Sequence, residues 1–268
     1  MEKIGIIGVG ILGGTAKVFY EESGREVFCY DKFKNIGSIE EVNNADIIFV
    51  CVPTPRKADN KLDISIVEEA VGYVSGEEKI IVIRSTVPVG TTDNLQRRHS
   101  KHKLLHNPEF LTEDKRWFDF RNPRFQIVGY TAQSEGVAQG VMGVLPTVPH
   151  LTKVKTMPAT ATEMFKLVRN GWLCNKNSYW NQIYDLCQAL HVDYQFIKEC
   201  AEFDPWIGPE HLEIWHKKKR GFNGGCLPKD SEGLVTEAHE NNVHLSILEE
   251  VIRFNSELLA SQNIPKDS

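Results

Sequence analysis

The stretch KIGIIGVGILGG, residues 3–14, joins a β-branched apolar run to glycines spaced G-x-G-x-x-G. Gly8, Gly10 and Gly13 carry the spacing, with Val9, Ile11 and Leu12 between them. Alone, such a pattern means little, because glycine is common. Here it closes a strand-like run and opens a helical one. Asp31 follows 18 residues after Gly13, at the end of a second apolar run, EVFCYD (26–31). That context is the dinucleotide fingerprint: a tight turn, a close backbone approach to pyrophosphate, and an acid for the ribose hydroxyls. The amides and dipole at the helix start would meet the phosphate charge. Asp31 favours NAD over NADP, since a carboxylate repels a 2′-phosphate, and Lys32 beside it pulls the other way.

Outward from this loop the first half keeps the same alternation. DIIFVCV (46–52), KIIVIRST (79–86), KLLHNPEF (103–110) and RFQIVGY (124–130) read as further strands. ISIVEEAVGYV (64–74) reads as a helix that Asp63 caps. Near-continuous apolar strands separated by helices imply a parallel sheet covered on both faces. The pattern changes near residue 150. From about Thr160 to Leu190 there is no proline, one glycine and a helical apolar spacing, which predicts one long helix. SILEEVIRFNSELLA (246–260) is a second amphipathic helix. The expected fold class is α/β: a Rossmann-like doubly wound parallel sheet, then a mainly α-helical domain reached by a long connecting helix. We place the domains at 1–155 and 156–268.

Composition excludes several classes. The 268 residues fit roughly two domains of about 150 each. A net charge of -5 lacks the basic footprint of a nucleic-acid or membrane-surface binder. No apolar run approaches the ~20 residues of a membrane span, so neither nucleic acid nor membrane is expected as a partner. The six cysteines form no C-x-x-C pair and the histidines no H-E-x-x-H, so no metal site is expected. A large core-forming chain with scattered cysteines reads as reduced and cytoplasmic.

Several residues are placed to do chemistry. Thr54, and Ser85 with Thr86 in RSTVPVGTT, end the third and fourth strands, on the edge where open α/β sheets bind ligands; they also read as hydroxyl-capped turns. NPEFLTE (107–113) sets Glu109 and Glu113 past the fifth strand. Lys166 and Asn170 in EMFKLVRN lie four apart, on one face of the long helix, a face that alone would read as solvated. GFNGGCLPKD (221–230) puts Cys226 in a glycine-rich turn before Lys229 and Asp230; a cation there would stabilise a nucleophilic thiolate.

These stretches, GVGILG, RSTVPVGTT, NPEFLTE, the Lys/Asn helix face and GGCLPKD, occur in the order seen in the UDP-glucose/GDP-mannose dehydrogenase family, which the chain resembles from about residue 3 to 260. The resemblance implies NAD as cofactor and a nucleotide sugar as substrate, with UDP-glucose oxidised in two steps to UDP-glucuronate as the leading case. By the same resemblance Cys226 is the nucleophile, passing through a thiohemiacetal and a thioester. Lys166 and Asn170 stabilise the oxyanion, Asp230 assists proton transfer, Glu109 serves thioester hydrolysis, and Thr86 positions the water. Phe110 and Leu111 contact the sugar through their backbone, Gly224 lines the substrate, and Glu113 and Lys229 lie on the cofactor side. A homodimer is implied on family grounds.

The chain also departs from that pattern. No stretch resembles the family's third, nucleotide-sugar-binding domain, so a short form is expected. DPWIG (204–208) has Trp206 where the family places an arginine, and a tryptophan cannot make a bidentate ionic contact. Asn223 occupies the first inner glycine position of the cysteine turn. The basic run HKKKR (216–220) reads as a solvated loop, or as a holder of a substrate phosphate. Two other functions compete: a single-step β-hydroxyacid-type dehydrogenase, which needs no cysteine, and a cofactor-binding assembly protein.

Overall fold

Every apolar run of the first half becomes a strand of one sheet. The computed structural model describes residues 1–148 and 153–264. Strands β1 (Ile4–Ile7), β2 (Val27–Tyr30), β3 (Ile47–Val50), β4 (Ile80–Ile83) and β5 (Lys103–His106) alternate with helices α1 (Ile11–Glu22), α2 (Ile39–Val42), α3 (Ser65–Gly72) and α4 (Thr91–Arg98). A 3-10 turn (Glu113–Lys115) and α5 (Arg116–Arg121) lead to β6 (Gln126–Tyr130), α6 (Ala138–Val144) and β7 (Val154–Pro158). The strand order is β2-β1-β3-β4-β5-β6-β7. Alternate side chains feed two cores: Ile4, Ile6, Phe49, Val82 and Leu105 on one face, Ile7, Ile48, Val50, Ile81 and Ile83 on the other. Each such burial contributes roughly 1.5–3 kcal/mol, which is why these runs are apolar at every position and not at every second one.

Three expectations need correction. The sheet is mostly and not wholly parallel, because β6 runs antiparallel to β5. Apolar continuity reports burial on both faces and carries no information on direction. The fifth strand stops at His106, before the Asn107-Pro108 pair, where a proline removes a ladder donor and biases its predecessor. Asp63 sits one place before the N-cap of α3, which is Ile64; its Oδ1 accepts the Ser65 amide at 3.0 Å. Strand β7 was not anticipated, because an exposed edge strand reading VKTMP has no apolar alternation to betray it.

The long helix is α7, Ala159–Ala189. It is followed by α8 (Tyr194–Phe203), α9 (Leu227–Glu240) and α10 (Ser246–Ser261). The chain divides into two compact units: Met1–Pro55 with Leu62–Lys166, and Arg56–Lys61 with Leu167–Ser268. The second has its own core, in which Trp180, Cys187, Tyr194, Ala201, Leu212 and Ile214 pack together.

In the first unit the start of α7 lies hard against β6. A Cβ at Gly129 would fall 2.2 Å from Thr162 Oγ1 and 2.7 Å from the Ala159 Cα. Gly129→Ala should therefore destabilise the protein by about 1–3 kcal/mol through overpacking, seen as a lower urea midpoint at unchanged slope; an unchanged midpoint would refute the close approach.

Candidate active site

The glycine loop shows three separate uses of glycine. Gly8 has φ 91°, and its Cβ would meet the Cys51 carbonyl oxygen at 2.7 Å. Gly13 is buried under β1, with a hypothetical Cβ 1.9 Å from the Gly8 oxygen. Gly10, the N-cap of α1, has nothing within 4 Å of that position, so the space over the loop is open to a ligand. No side chain caps α1 and its first turn holds no acid, which leaves amides and dipole for an anion. Asp31 braces the loop: its Oδ2 accepts the Val9 amide at 2.8 Å, and its Oδ1 accepts the amides of Phe33 and Lys34. Lys32 turns to Glu69, at 3.0 Å, and Lys34 Nζ donates to the Val9 carbonyl at 2.7 Å.

At the carboxyl edge of the sheet, Thr54 Oγ1 donates to the Thr86 carbonyl at 2.8 Å, and Ser85 Oγ to the Val52 carbonyl at 2.6 Å. These hydroxyls tie the loops after β3 and β4 together, while Thr86 is half-buried. Beyond β5, Lys166 reaches from α7 and donates to the Glu109 carbonyl at 2.8 Å and to its Oε1 at 3.0 Å. The other carboxylate oxygen accepts the Leu111 amide at 2.7 Å. Burial pushes the Glu109 carboxyl up, but the Lys166 ammonium, the Leu111 amide and the Arg84 charge outweigh it and leave the group below its ordinary range. Glu109 is thus ionised at neutral pH. Lys166 also lies over the Phe110 ring, 5.5 Å from its centroid. Glu113 opens the 3-10 turn; its side chain lies outside the described part of the structure.

The second unit holds the other half of the sequence-derived set. Cys226 is exposed at the N-cap of α9, with Pro228 in the first turn. One turn later Asp230 is wholly buried, accepting Asn170 Nδ2 at 2.6 Å and Lys229 Nζ at 2.5 Å. The turn before Cys226 is pinned upstream. Asn255 accepts the Phe222 amide and donates to its carbonyl, both at 2.8 Å, and a Cβ at Gly221 would strike Asn255 Oδ1 at 2.6 Å. Positive φ falls on Gly221 and Gly224 and not on Asn223, so the substitution at that position demands no left-handed asparagine. Gly224 and Gly225 face open space.

Burial sorts the thiols. It pushes Cys29 up to about 11 and Cys51 and Cys174 up to about 12, which keeps them protonated and inert. Cys226 sits instead where aligned peptide dipoles favour negative charge. Trp206 is fully exposed, and Lys217 and Lys218 form a tight left-handed turn closed by paired backbone bonds between His216 and Lys219.

Sequence reasoning missed the polar anchors of α7. Glu163, wholly buried, accepts the amides of Gly90 at 2.6 Å and Thr92 at 2.8 Å, with the Thr92 hydroxyl at 2.6 Å. It is a cap for α4 supplied from another helix, which satisfies donors that α4 itself leaves orphaned. Thr162 Oγ1 meets His106 Nδ1 at 2.8 Å, and burial drives that imidazole down to about 3, so it stays neutral. Arg84, buried beside Ser85, stacks over Phe120 and leaves Nη1 without a partner. In the second unit Arg56 pairs with buried Glu232. Only Arg84 had a local signal, its place directly before the Ser-Thr pair.

A mostly parallel sheet with a bare helix N-terminus behind a glycine turn and a braced acid defines a dinucleotide-binding α/β protein. Comparison with known proteins narrows the class. Residues 32–142 match the NAD binding domain of the UDP-glucose/GDP-mannose dehydrogenase family, and residues 160–257 match its central domain. The chain belongs to that family. It is 29% identical over 249 residues to UDP-glucose 6-dehydrogenase of Rickettsia bellii, covering 90% of this chain and 55% of that protein. It is 28% identical to UDP-glucose 6-dehydrogenase TuaD of Bacillus subtilis, covering 95% and 63%. A UDP-glucose dehydrogenase structure from Pyrobaculum islandicum aligns with TM-score 0.83 at 25% identity, over 96% of this chain and 68% of that one. The chain thus spans roughly half to two thirds of the curated relatives it matches. Among the described residues no helix is long and apolar enough to cross a membrane. The cofactor of this family, NAD, fits the residues present: Gly10 leaves open the space that a pyrophosphate needs, and the bare start of α1 faces it.

Glu163 has a measurable signature. Burial, the largest influence, raises it to about 7 against three donors that favour the anion. A raised carboxyl binds its proton more tightly in the folded state, so its contribution is complete below about pH 4.5 and is lost as pH climbs through 7. Relative to Glu163→Gln, the wild-type unfolding free energy should fall by about 1–3 kcal/mol between pH 5 and 8 in urea melts. A flat difference would show that the carboxyl does not titrate there.

Proposed function

We propose that the protein is an NAD-dependent nucleotide-sugar dehydrogenase that oxidises a primary alcohol to a carboxylate in two steps, with UDP-glucose to UDP-glucuronate as the leading substrate and product. The observation that carries this reading is the second unit's pairing of an exposed thiol at a helix start with a buried, clamped aspartate one turn later. A single-step alcohol oxidation needs no thiol nucleophile.

Two NAD molecules, bound in turn, would supply the acceptors for two hydride removals, one from the alcohol and one from the captured aldehyde. The chain's own residues do the rest. The Cys226 sulfur adds to the aldehyde carbon, and the oxygen takes a proton to give a thiohemiacetal. Loss of the second hydride, with that hydroxyl proton, leaves a thioester; water attacks it, the C–S bond breaks, and acid and thiol are released. Lys166 and Asn170, one turn apart on α7, supply the cationic and amide donors for oxygen charge. Each is held by its own acid, Lys166 by Glu109 and Asn170 by Asp230. Asp230 relays the proton, and ionised Glu109 draws one from the hydrolytic water that Thr86 orients. Ser85 and Thr54 set the strand-end loops, and Phe110 with Leu111 meets the sugar by backbone.

Purified protein given NAD and nucleotide sugars should form two NADH per substrate consumed. Cys226→Ser should lose acid formation by at least about a hundredfold while keeping NAD affinity. One NADH per substrate favours the single-step alternative, and full acid formation in the variant sinks the covalent route.

We also propose a homodimer built on α7. Val168, Trp172, Tyr179 and Leu186 are exposed at helical spacing, the last three at seven-residue intervals, which makes an apolar seam suited to a second copy. Sedimentation should give a dimer for the wild type and a monomer for Trp172→Glu. A monomeric wild type would overturn the proposal.

A further inference from the structure

At the α9–α10 hairpin three ligand-bearing side chains converge that the dehydrogenase chemistry does not use. His239 lies in the last turn of α9, His244 stands in the connection, and Glu249 lies in the first turn of α10. One donor atom of each lies within 4.8 Å of the others. His239 Nε2 is 2.7 Å from Glu249 Oε1, and the two imidazoles lie with centroids 5.1 Å apart.

The backbone makes this convergence. Asn242 takes the left-handed conformation at φ 57°. The Val243 amide returns to the Ala238 carbonyl at 2.9 Å, and the Asn242 amide to His239 at 3.0 Å. That is a Schellman closure, and it folds the chain back so that His244 comes over His239. A hydrogen bond to Glu249 accounts for His239, but not for the second imidazole lying beside it. A cation shared by all three accounts for the set. The negative end of the α9 dipole adds to the carboxylate in attracting it.

We infer that His239, His244 and Glu249 form a surface site for a divalent transition cation of the zinc class, clasping the α9–α10 hairpin. Two imidazoles and a carboxylate are a donor set that zinc accepts, with water completing the tetrahedron. Zinc bonds of 2.0–2.1 Å need donors roughly 3.3 Å apart; the donor atoms here lie from 2.7 Å to at most 4.8 Å apart, so small side-chain rotations bring them to that spacing. The site is independent of the dehydrogenase reading. Its spacings of five and five match no linear motif, and the turn brings the three residues together.

The test uses EDTA-treated, dialysed protein with Cys200 and Cys226 changed to serine, which removes the exposed thiols that would also take zinc. Titration with ZnCl2 should saturate one site per chain and raise Tm, and CoCl2 should give ligand-field bands without thiolate charge transfer. His244→Ala, outside that hydrogen bond, should weaken zinc at least about tenfold without changing Tm in EDTA. Glu249→Gln should act in the same direction. No saturable binding, or binding that both variants leave intact, would overturn the site.

Discussion

A lysine ammonium that is almost wholly buried must be paired, because an uncompensated charge in that position costs several kcal/mol. Lys166 meets this demand with one residue, taking both the backbone carbonyl and the carboxylate of Glu109. Much of the first unit's geometry follows from keeping those atoms in register. The first two turns of α7 are fastened to the strand-end loops three times: Thr162 to His106, Glu163 to the start of α4, and Lys166 to Glu109. Gly129 lets the helix come close enough for all three. A helix so held cannot rotate without breaking all three buried polar contacts.

The cysteine turn is built on the opposite principle. Upstream it is rigid, with Asn255 imitating a strand partner for Phe222 and Arg220 held by Asn181, Asp185 and Gln262. Downstream it is rigid again, in α9 and its buried Asp230. Between them a Cβ at Gly224 or Gly225 would meet nothing within 4 Å. Open space is thus confined to the two residues before the thiol, between segments held on either side.

The fold was legible because its signals are local. Strand runs, the glycine spacing and the long proline-free helix each sit in one window of sequence. What escaped was edge or direction: β7 is too polar to announce itself, and the reversal of β6 leaves no mark on its composition. In the site, Lys166, Asn170, Glu109, Asp230 and Cys226 stood out as polar residues in patterned company. Glu163 looked like any glutamate early in a helix, because its partners lie about seventy residues away in the chain. Pairings of that kind, Arg56 with Glu232 included, are made by the tertiary fold and have no sequence period to detect.

Among six cysteines the same logic separates Cys226, the nucleophile of the proposed reaction, from the rest. Cys29, Cys51 and Cys174 serve as small apolar groups, and the burial that makes them useful in the core raises their proton affinity. Cys187 is buried as well, and exposed Cys200 lies within α8 with no glycine turn before it. Cys226 alone combines exposure, a helix N-cap and a buried carboxylate one turn on. The proposed nucleophile needs access, a field that favours an anion and a nearby proton acceptor; the turn at residues 221–230 sets an exposed thiol, a helix N-cap and a buried carboxylate within one decapeptide.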